Sequence, residues 1–285
     1  MSAGRPVALE SRIAGVAASL GLEHPEIVEL SGGVANRSFR LRDRRHDVVL
    51  RFAGDVAAGL GASGTSELAM QSLAAGAGLA PPLLLADAAR GFVVSDFVPG
   101  SVPTARDLQN AHMLRRVGAF IARLHALAPP PGLPVVDFGE RAAGYLERVM
   151  KTRRDAFVER LQRELAARRA ALPPPVRLAA CHHDLHHRNF LDDGQRLIAV
   201  DWEYAGPGDA AADFASCIGY HALEAADVNV LFESYDAADT DLRSRVAALG
   251  WIFDCLWFGW NAAASLGGLA IDHGEQTRLA ARLGG

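Results

Sequence analysis

The polar segment 182–203 holds side chains whose types and spacing are suited to chemistry. Asp184 precedes Asn189 by five residues, and Asp201 directly follows the apolar run 198–200. A carboxylate can orient a hydroxyl group and take its proton, and carboxylate and amide oxygens are ligands that Mg²⁺ prefers. The segment therefore indicates phosphoryl transfer to a hydroxyl group, with Asp184 as the base and with Asn189 and Asp201 as ligands of Mg²⁺.

The elements that must position this segment fall into a strand-rich portion and a helix-rich portion. The elements predicted for the first portion are a helix that ends near Gly21, strands at 27–30, 38–42 and 48–52, a helix that contains Glu67, and a hairpin of 83–86 and 92–95. After a break at 97–100 the pattern is mostly helical, and it includes one Arg- and Glu-rich helix over about 140–171. This order predicts an α+β fold with one portion at 1–96 and the other at 97–285.

The composition favours a globular protein and excludes several other classes. Half of the 285 residues are hydrophobic and 22% are charged, so the chain can bury a sizeable core. The formal net charge of −4 argues against a nucleic-acid partner, which requires clustered positive charge. The three cysteines are far apart, and no segment reads as a signal peptide or a membrane span. We therefore expect a cytoplasmic protein with no membrane partner, and the sequence leaves its oligomeric state open.

The polar segment also resembles two known motifs. Residues 182–189, His-x-Asp-Leu-(x)3-Arg-Asn, resemble the catalytic-loop motif of the aminoglycoside phosphotransferase and choline kinase superfamily. Residues 201–203, Asp-Trp-Glu, resemble the metal-binding motif of the same superfamily. The resemblance implies a protein-kinase-like fold, with a small antiparallel-sheet N-lobe at 1–96 and a larger helical C-lobe at 97–285. It also implies ATP and Mg²⁺ as cofactors, bound in the cleft between the lobes, and a small alcohol as the substrate.

The resemblance assigns residues of the N-lobe to the nucleotide. The loop before the second predicted strand is similar to the family's nucleotide-positioning loop, and the strand 48–52 to the one whose cation contacts the phosphates. That cation is usually lysine in the aminoglycoside branch and commonly arginine in choline kinases. Here it is Arg51, and Lys151 is the only lysine of the chain. The residues expected to bind the nucleotide are Ser31, Gly32, Gly33, Asn36, Arg51, its partner Glu67 and, at the hinge, Asp96 and Val98.

Three further residues are expected to support the catalytic loop. His182 is interpreted as a structural residue that holds the loop by hydrogen bonds, rather than as a transition-metal ligand together with the histidines that follow it. Asp209 and Asp213 stand where the family has Gly-Asp-(x)3-Asp. This match implies that both residues support the metal-binding loop from the N-terminus of a helix.

Aromatic residues near the C-terminus indicate which alcohol accepts the phosphoryl group. Trp257 and Trp260 are helical neighbours, and their segment resembles the C-terminal Trp-x-x-Trp of choline kinases. Aromatic faces attract quaternary ammonium groups, so we expect these residues to bind a cationic head, although aromatic spacing of this kind also suits a core. Choline or a related amino alcohol is the first expectation for the substrate. Asp254, Glu203 and Tyr204 are further substrate-binding candidates.

Other functions stay open on the sequence. The acceptor can also be an aminoglycoside, thiamine or a sugar-like alcohol, and the chain can be a nucleotide-binding module without catalysis. Binding alone does not need a base, so the presence of Asp184 together with Asn189 and Asp201 speaks against such a module. Residues 59–64 match Gly-x-Gly-x-x-Gly, but no strand directly precedes them, so a connecting loop is favoured over a dinucleotide site.

Overall fold

A five-stranded antiparallel sheet forms the first part of the chain in the computed structural model, which describes residues 5–30, 36–54, 64–235 and 240–285. Its elements are α1 (Arg5–Ser19), β1 (Glu26–Leu30), β2 (Arg37–Arg42), β3 (Asp47–Phe52), α2 (Gly64–Gly76), β4 (Leu83–Asp87) and β5 (Phe92–Asp96). The strands lie in the order β1-β2-β3-β5-β4. Apolar residues of α1 pack against the sheet and complete a small core.

Strand β3 has two different faces. Val48, Leu50 and Phe52 alternate along it and are buried in the core beneath α1. Arg51 therefore projects from the opposite face, where helix α2 lies. Glu67 is buried in the first turns of α2 and forms an ion pair with Arg51. The alternation of the strand thus determines that Arg51 is presented away from the core.

Seven α-helices lie in the described chain after residue 110, and they share one large apolar core. They are α3 (Ala111–His125), α4 (Phe138–Thr152), α5 (Ala156–Ala171), α6 (Ala210–His221), α7 (Ala225–Glu233), α8 (Thr240–Leu266) and α9 (His273–Arg282). Leu114, Val117, Ile121 and Leu124 form one face of α3, and all four are fully buried. Helix α8 has 27 residues and packs against α4, α5, α6 and α9.

The single helix predicted over about 140–171 is wrong, because two helices occupy this range. Helix α4 ends at Thr152 and α5 begins at Ala156. The carboxylate of Asp155 accepts hydrogen bonds from the backbone N–H groups of Phe157 and Val158. Aspartate is a strong N-cap residue, so Asp155 starts a new helix where the charge pattern alone indicates continuity.

Short strand pairs hold the polar segment on both sides. Strand β6 (Ala179–Cys181) pairs with β9 (Gly206–Gly208), and β7 (Phe190–Asp192) pairs with β8 (Leu197–Ala199). A 3-10 turn at His187–Asn189 comes directly before β7. The residues of β6, β8 and β9 are all buried, so these strands anchor the polar loops between them.

The predicted α+β fold with two lobes is confirmed, since the sheet precedes a larger helical part. The boundary at residues 96 and 97 stays a prediction. Within the helical lobe, a Cβ atom on Gly219 would lie 2.5 Å from the Phe253 ring, so glycine lets α6 approach α8 closely. Within the described ranges, no helix has the length and apolar character that crossing a membrane requires.

Candidate active site

Two hydrogen-bond donors hold the Asp184 carboxylate. The amide group of Asn189 donates to Asp184 Oδ2 and to the Asp184 backbone oxygen, both at 2.9 Å. The Tyr220 hydroxyl donates to the other carboxylate oxygen, Oδ1, at 2.7 Å. The amide nitrogen of Asn189 is thus engaged by Asp184, whereas its oxygen retains the capacity to bind a cation. The structure therefore brings the predicted base and one predicted metal ligand together.

Arg51 connects the N-lobe to the second acidic motif. Besides its ion pair with Glu67, Arg51 places Nη1 at 3.4 Å from Asp201 Oδ1. The same nitrogen lies 3.8 Å from Glu203 Oε2. The side-chain amide of Asn36 donates to Glu203 Oε2 at 2.9 Å and lies 3.5 Å from Asp201 Oδ1. Four residues predicted for the nucleotide or the metal therefore form one cluster with Glu203.

The acidic side chains around Asp201 fit a divalent cation. Burial, followed by the charge of Asp201, raises the pKa of Glu203 to about 7, although Asn36 and Arg51 act in the opposite direction. A carboxylate pKa rises when nearby positive charge does not compensate for burial and like charge. The oxygens of Asp201 and Asn189 are hard ligands, which suit Mg²⁺. The residues present therefore fit the metal that the sequence predicts.

The backbone at Asp201 adopts a left-handed conformation, with a φ of 62°. This region is strained for a residue other than glycine, so the neighbouring residues must hold it. Val200 donates its backbone N–H to Asn189 O at 2.9 Å, and His182 Nε2 donates to Val200 O at 3.0 Å. Trp202 is fully buried and donates its indole N–H to a backbone oxygen of β8 at 3.0 Å. These bonds connect the two predicted metal ligands and give His182 the structural contact that was expected.

Asp213 is fully buried in the first turn of α6 and fixes the backbone just before Asp184. It accepts hydrogen bonds from the backbone N–H groups of His182 at 3.0 Å and His183 at 2.6 Å. A third bond joins it to His125 Nε2 at 3.0 Å. Burial alone would raise the pKa of Asp213, but the hydrogen bond with His125 and the charges of the three histidines lower it to about 2. Asp213 therefore acts as a buried anion that organises the start of residues 182–189, the predicted catalytic segment.

Asp209 is the N-cap residue of α6 and connects this helix to α8. Its carboxylate accepts from the backbone N–H of Ala211 at 3.0 Å and forms an ion pair with Arg245. The Arg245 side chain also donates to the backbone oxygen of Pro173 at 2.9 Å. Asp209 thus lies at a helix N-terminus beside the catalytic segment, as the family pattern implies.

Four aromatic side chains of the C-lobe form two contacting pairs, one of which reaches Asp184. The Tyr220 ring, whose hydroxyl binds Asp184, contacts the Trp257 ring with 4.7 Å between their centroids. Trp260 donates its indole N–H to the Tyr204 hydroxyl at 3.0 Å. All four rings are partly buried. Trp257 and Trp260 are neighbours on α8, so the two pairs form one aromatic group, and Tyr220 connects it to the predicted base.

Two acidic residues predicted to bind the substrate have other partners. Asp254 forms an ion pair with Arg282, which compensates its charge. Glu203 turns its carboxylate toward Asn36 and Arg51 of the N-lobe. Arg282 is 28 residues from Asp254 along the chain, and Asn36 and Arg51 are 167 and 152 residues from Glu203. Local spacing in the sequence therefore does not indicate these partners. Both carboxylates thus have protein partners in this structure, and their role as counter-charge to a cationic head stays a prediction.

The predicted hinge directly follows β5. The backbone N–H of Asp96 donates to Pro82 O at 3.0 Å, and the next N–H donates to a backbone oxygen of β3 at 2.9 Å. These bonds fix the main chain that leads to Val98. The predicted nucleotide-loop residues and most of the Gly-x-Gly-x-x-Gly match lie outside the described residues, namely Ser31, Gly32, Gly33 and 59–63.

Tyr220 is a site residue that the sequence analysis missed. It lies seven residues after Asp213 on α6, and residues two helical turns apart occupy the same face. Asp213 on this face binds the backbone before Asp184, and Tyr220 binds the Asp184 carboxylate itself. Helical spacing from Asp213, which was expected to support the loop, is the signal that identifies Tyr220.

His221 holds the catalytic segment from a second side. The backbone N–H of His187 donates to His221 Nε2 at 3.1 Å. The other ring nitrogen, Nδ1, lies 2.7 Å from Cys217 O, which can only accept, so Nδ1 carries the hydrogen. Burial lowers the pKa of His221 from 6.5 to about 4. Protonation would also remove the acceptor that His187 needs.

We expect the protein to lose stability as the pH falls from 6.5 toward 4. In this range the unfolded chain takes up a proton at His221 whereas the folded protein does not, so unfolding becomes more favourable. The contribution of His221 reaches about 3 kcal/mol at the lower end of the range. Urea unfolding over this range measures the effect in the wild type and in His221→Gln, which keeps an acceptor without titrating. Identical pH dependence of the two proteins would contradict the prediction.

Comparison with known proteins agrees with this geometry. The sequence profile of the phosphotransferase enzyme family (APH) matches residues 26–249. This range contains Arg51, Asp184 and Asp201, and it ends before Trp257 and Trp260. The chain therefore belongs to the phosphotransferase enzyme family, and the predicted resemblance is confirmed.

Individual relatives carry names of three related activities. Thiamine kinase of Shigella boydii serotype 4 (strain Sb227) is 28% identical over 201 residues, which cover 68% of this chain and 65% of that protein. The chain thus spans less than two thirds of the curated relatives it matches. The crystal structure of a choline/ethanolamine kinase family protein from Mesorhizobium loti has a TM-score of 0.78 and 26% identity, covering 97% of this chain and 93% of that one. Choline kinase LicA from Streptococcus pneumoniae, at 19% identity, supports the fold alone, with a TM-score of 0.80 and coverage of 97% and 99%.

Proposed function

We propose that this protein is a kinase that transfers a phosphoryl group from ATP, with Mg²⁺, to the hydroxyl group of a small alcohol. The joint placement of Asp184, Asn189 and Asp201 carries this proposal, since the Asn189 side chain donates to Asp184 and the N–H of Val200, which directly precedes Asp201, donates to the Asn189 backbone oxygen. Arg51 reaches Asp201 from the opposite lobe and supplies a fixed positive charge. A module that only binds nucleotides has no need of a carboxylate held by two donors, so this arrangement favours catalysis.

The proposed reaction assigns a separate task to each of these residues. Asp184 orients the acceptor hydroxyl and takes its proton while the acceptor oxygen bonds to the γ-phosphorus and the bond to the ADP oxygen breaks. Asn189 and Tyr220 keep the carboxylate in place. Asn189 Oδ1 and Asp201 would hold Mg²⁺, which when bound neutralises charge on the phosphates. Arg51 contacts the α- and β-phosphates.

The remaining nucleotide contacts are proposed on the family pattern. The backbone of Asp96 to Val98 binds the adenine, and the backbone amides of Ser31, Gly32 and Gly33 cover the phosphates. The hinge hydrogen bonds support the first assignment, because they fix the main chain at the point where an adenine would pair with it. A solved complex of a structural neighbour with AMP, at 19% identity, agrees with a nucleotide cleft in this fold.

Choline or a related amino alcohol is the acceptor that we propose. The aromatic group of Tyr204, Tyr220, Trp257 and Trp260 supports it, since each ring contact with an ammonium group is worth about 0.5–2 kcal/mol. The names of the similar choline and ethanolamine kinase structures agree. Thiamine is a second candidate, because it combines a cationic ring with a hydroxyl group and the matched curated relatives are thiamine kinases.

Thermal shift and ADP release test the proposed function together. The protein is screened with ATP and Mg²⁺ against choline, ethanolamine, thiamine, an aminoglycoside and a sugar alcohol. We expect ATP to raise the melting temperature and at least one alcohol to stimulate ADP release above the background hydrolysis. A melting shift with ATP but no stimulation by any alcohol would favour the non-catalytic module, and thiamine alone being turned over would replace choline.

Arg51→Met is expected to weaken ATP binding by about 10- to 100-fold, because a charge-assisted hydrogen bond contributes about 1.5–3 kcal/mol. Isothermal titration with ATP and Mg²⁺ measures the change. Arg40→Met is the matched control, since Arg40 lies on the adjacent strand β2 and pairs with Asp47 instead. Unchanged affinity in Arg51→Met would show that Arg51 does not contact the phosphates.

A further inference from the structure

Arg141 lies in the first turns of α4, and its side chain contacts the aromatic group. Its guanidinium carbon lies 5.0 Å from the centroid of the Tyr204 ring. The Tyr204 hydroxyl accepts from Trp260, and a hydrogen bond also joins the side chains of Tyr204 and Tyr145. Arg141 is thus next to residues proposed to bind the acceptor.

The charge of Arg141 has no ion-pair partner in the described ranges. Three other arginines that are largely withdrawn from solvent each have at least one: Arg51 pairs with Glu67 and Asp201, Arg116 with Asp192 and Arg245 with Asp209. Burial lowers the pKa of Arg141 even though the carboxylates of Asp184 and Glu203 attract it at longer range. Withdrawing a guanidinium from water without an ion pair is unfavourable, so an anion beside Arg141 is stabilised.

The position of Arg141 affects the two kinds of acceptor differently. A choline head seated against Tyr204 and Trp260 would meet a permanent positive charge. A single negative charge on the acceptor would instead form an ion pair, and a guanidinium matches the two oxygens of a carboxylate. A doubly charged phosphate group would leave excess negative charge beside Asp184, so a carboxylate fits better.

We propose that the acceptor is an alcohol that carries a carboxylate, that Arg141 binds this carboxylate, and that Arg141 thereby disfavours purely cationic alcohols. The proposal rests on the proposed kinase function and narrows its acceptor from amino alcohols such as choline to alcohols that carry a carboxylate, so such an alcohol replaces choline as the first candidate. An amino alcohol with a carboxylate suits both the aromatic side chains and Arg141. Its ammonium group can lie against Tyr220 and Trp257 while its carboxylate pairs with Arg141.

Matched acceptor pairs test the proposal, because the two members of each pair differ by one carboxylate. The pairs are ethanolamine and L-serine, 3-aminopropanol and L-homoserine, and glycerol and D-glycerate, and choline is included as the cationic reference. For at least one pair, kcat/KM from ADP release should be about tenfold or more higher for the carboxylate member. That member alone should also raise the melting temperature of the protein in the presence of ATP and Mg²⁺.

Variants of Arg141 separate substrate binding from structure. Arg141→Met should raise KM for the preferred acid about tenfold or more while KM for ATP changes no more than about twofold. Arg141→Lys should restore part of the preference, and Arg163→Met on the exposed face of α5 should keep all of it. If Arg141→Met does not fold, the acceptor pairs and the Arg141→Lys variant still test whether Arg141 binds the carboxylate.

The outcomes distinguish this proposal from the proposed function. Turnover of choline or another uncharged or cationic alcohol, with no preference for any carboxylate member, would overturn the role of Arg141 and leave the kinase function standing. Equal increases of KM for the acid and for ATP in Arg141→Met would assign Arg141 to the nucleotide instead. No stimulation of ADP release by any alcohol would overturn both.

Discussion

Asp184→Asn should lower kcat by about 10²- to 10⁴-fold, the range that general base catalysis contributes, while the affinity for ATP stays nearly unchanged. The amide that replaces the carboxylate cannot take a proton from the acceptor. It also presents an oxygen to only one of the two donors, so the Tyr220 hydroxyl must accept from the new N–H₂ group if the bond with Asn189 is kept. ADP release in the presence of a turned-over alcohol measures kcat, and isothermal titration measures the ATP affinity.

A matched substitution controls for the loss of a carboxylate as such. Asp155→Asn removes a carboxylate at the N-terminus of α5, where asparagine caps a helix as well as aspartate does. This variant should keep the wild-type kcat. Wild-type turnover in Asp184→Asn would show that Asp184 is not the base. A large loss of ATP affinity would instead place Asp184 among the nucleotide-binding residues.

Asp213→Ala should lower the free energy of unfolding by about 3–5 kcal/mol, the cost of removing one partner from a buried charged network. The substitution leaves two buried backbone N–H groups, those of His182 and His183, without their acceptor. It also leaves His125 without the anion that it faces. Such a loss is a large fraction of the stability of a typical domain, so the catalytic segment should become disordered as well.

Urea unfolding compares Asp213→Ala with a conservative and a surface variant. Asp213→Asn keeps one oxygen acceptor and should lie between the wild type and the alanine variant. Asp227→Ala removes a partly exposed carboxylate, whose one long hydrogen bond is to the N-cap backbone of α7, and should cost less than about 1 kcal/mol. Equal losses in Asp213→Ala and Asp227→Ala would contradict the organising role of Asp213.

The sequence predicts those parts of the site that depend on residues close to one another along the chain. Asp184, Asn189 and Asp201 belong to contiguous motifs, and the alternation of β3 directs Arg51 away from the core. The five strands of the N-lobe are also predicted from local patterns, namely apolar alternation and turn residues. These features are local, so composition and spacing are sufficient to place them.

The parts that the sequence does not predict depend on contacts between distant elements. The Asp254–Arg282 ion pair forms only because α9 packs against α8, and the Asn36–Glu203 bond forms only because the lobes meet. The break between α4 and α5 depends on whether Asp155 caps a new helix or lies on the surface of a continuous one. The residues around Asp155 are compatible with both arrangements.

The contacts of Arg51 and Asn36 with the second acidic motif also bear on how nucleotides leave. Both residues belong to the N-lobe, and both reach carboxylates of the C-lobe, so rotation of one lobe away from the other must break these contacts. The Arg51 and Glu203 side chains are only 16% and 8% exposed, so ionic strength screens their attraction weakly. Opening of the cleft is therefore an energetic step that the protein's own side chains oppose, and in the proposed reaction the escape of ADP is coupled to it.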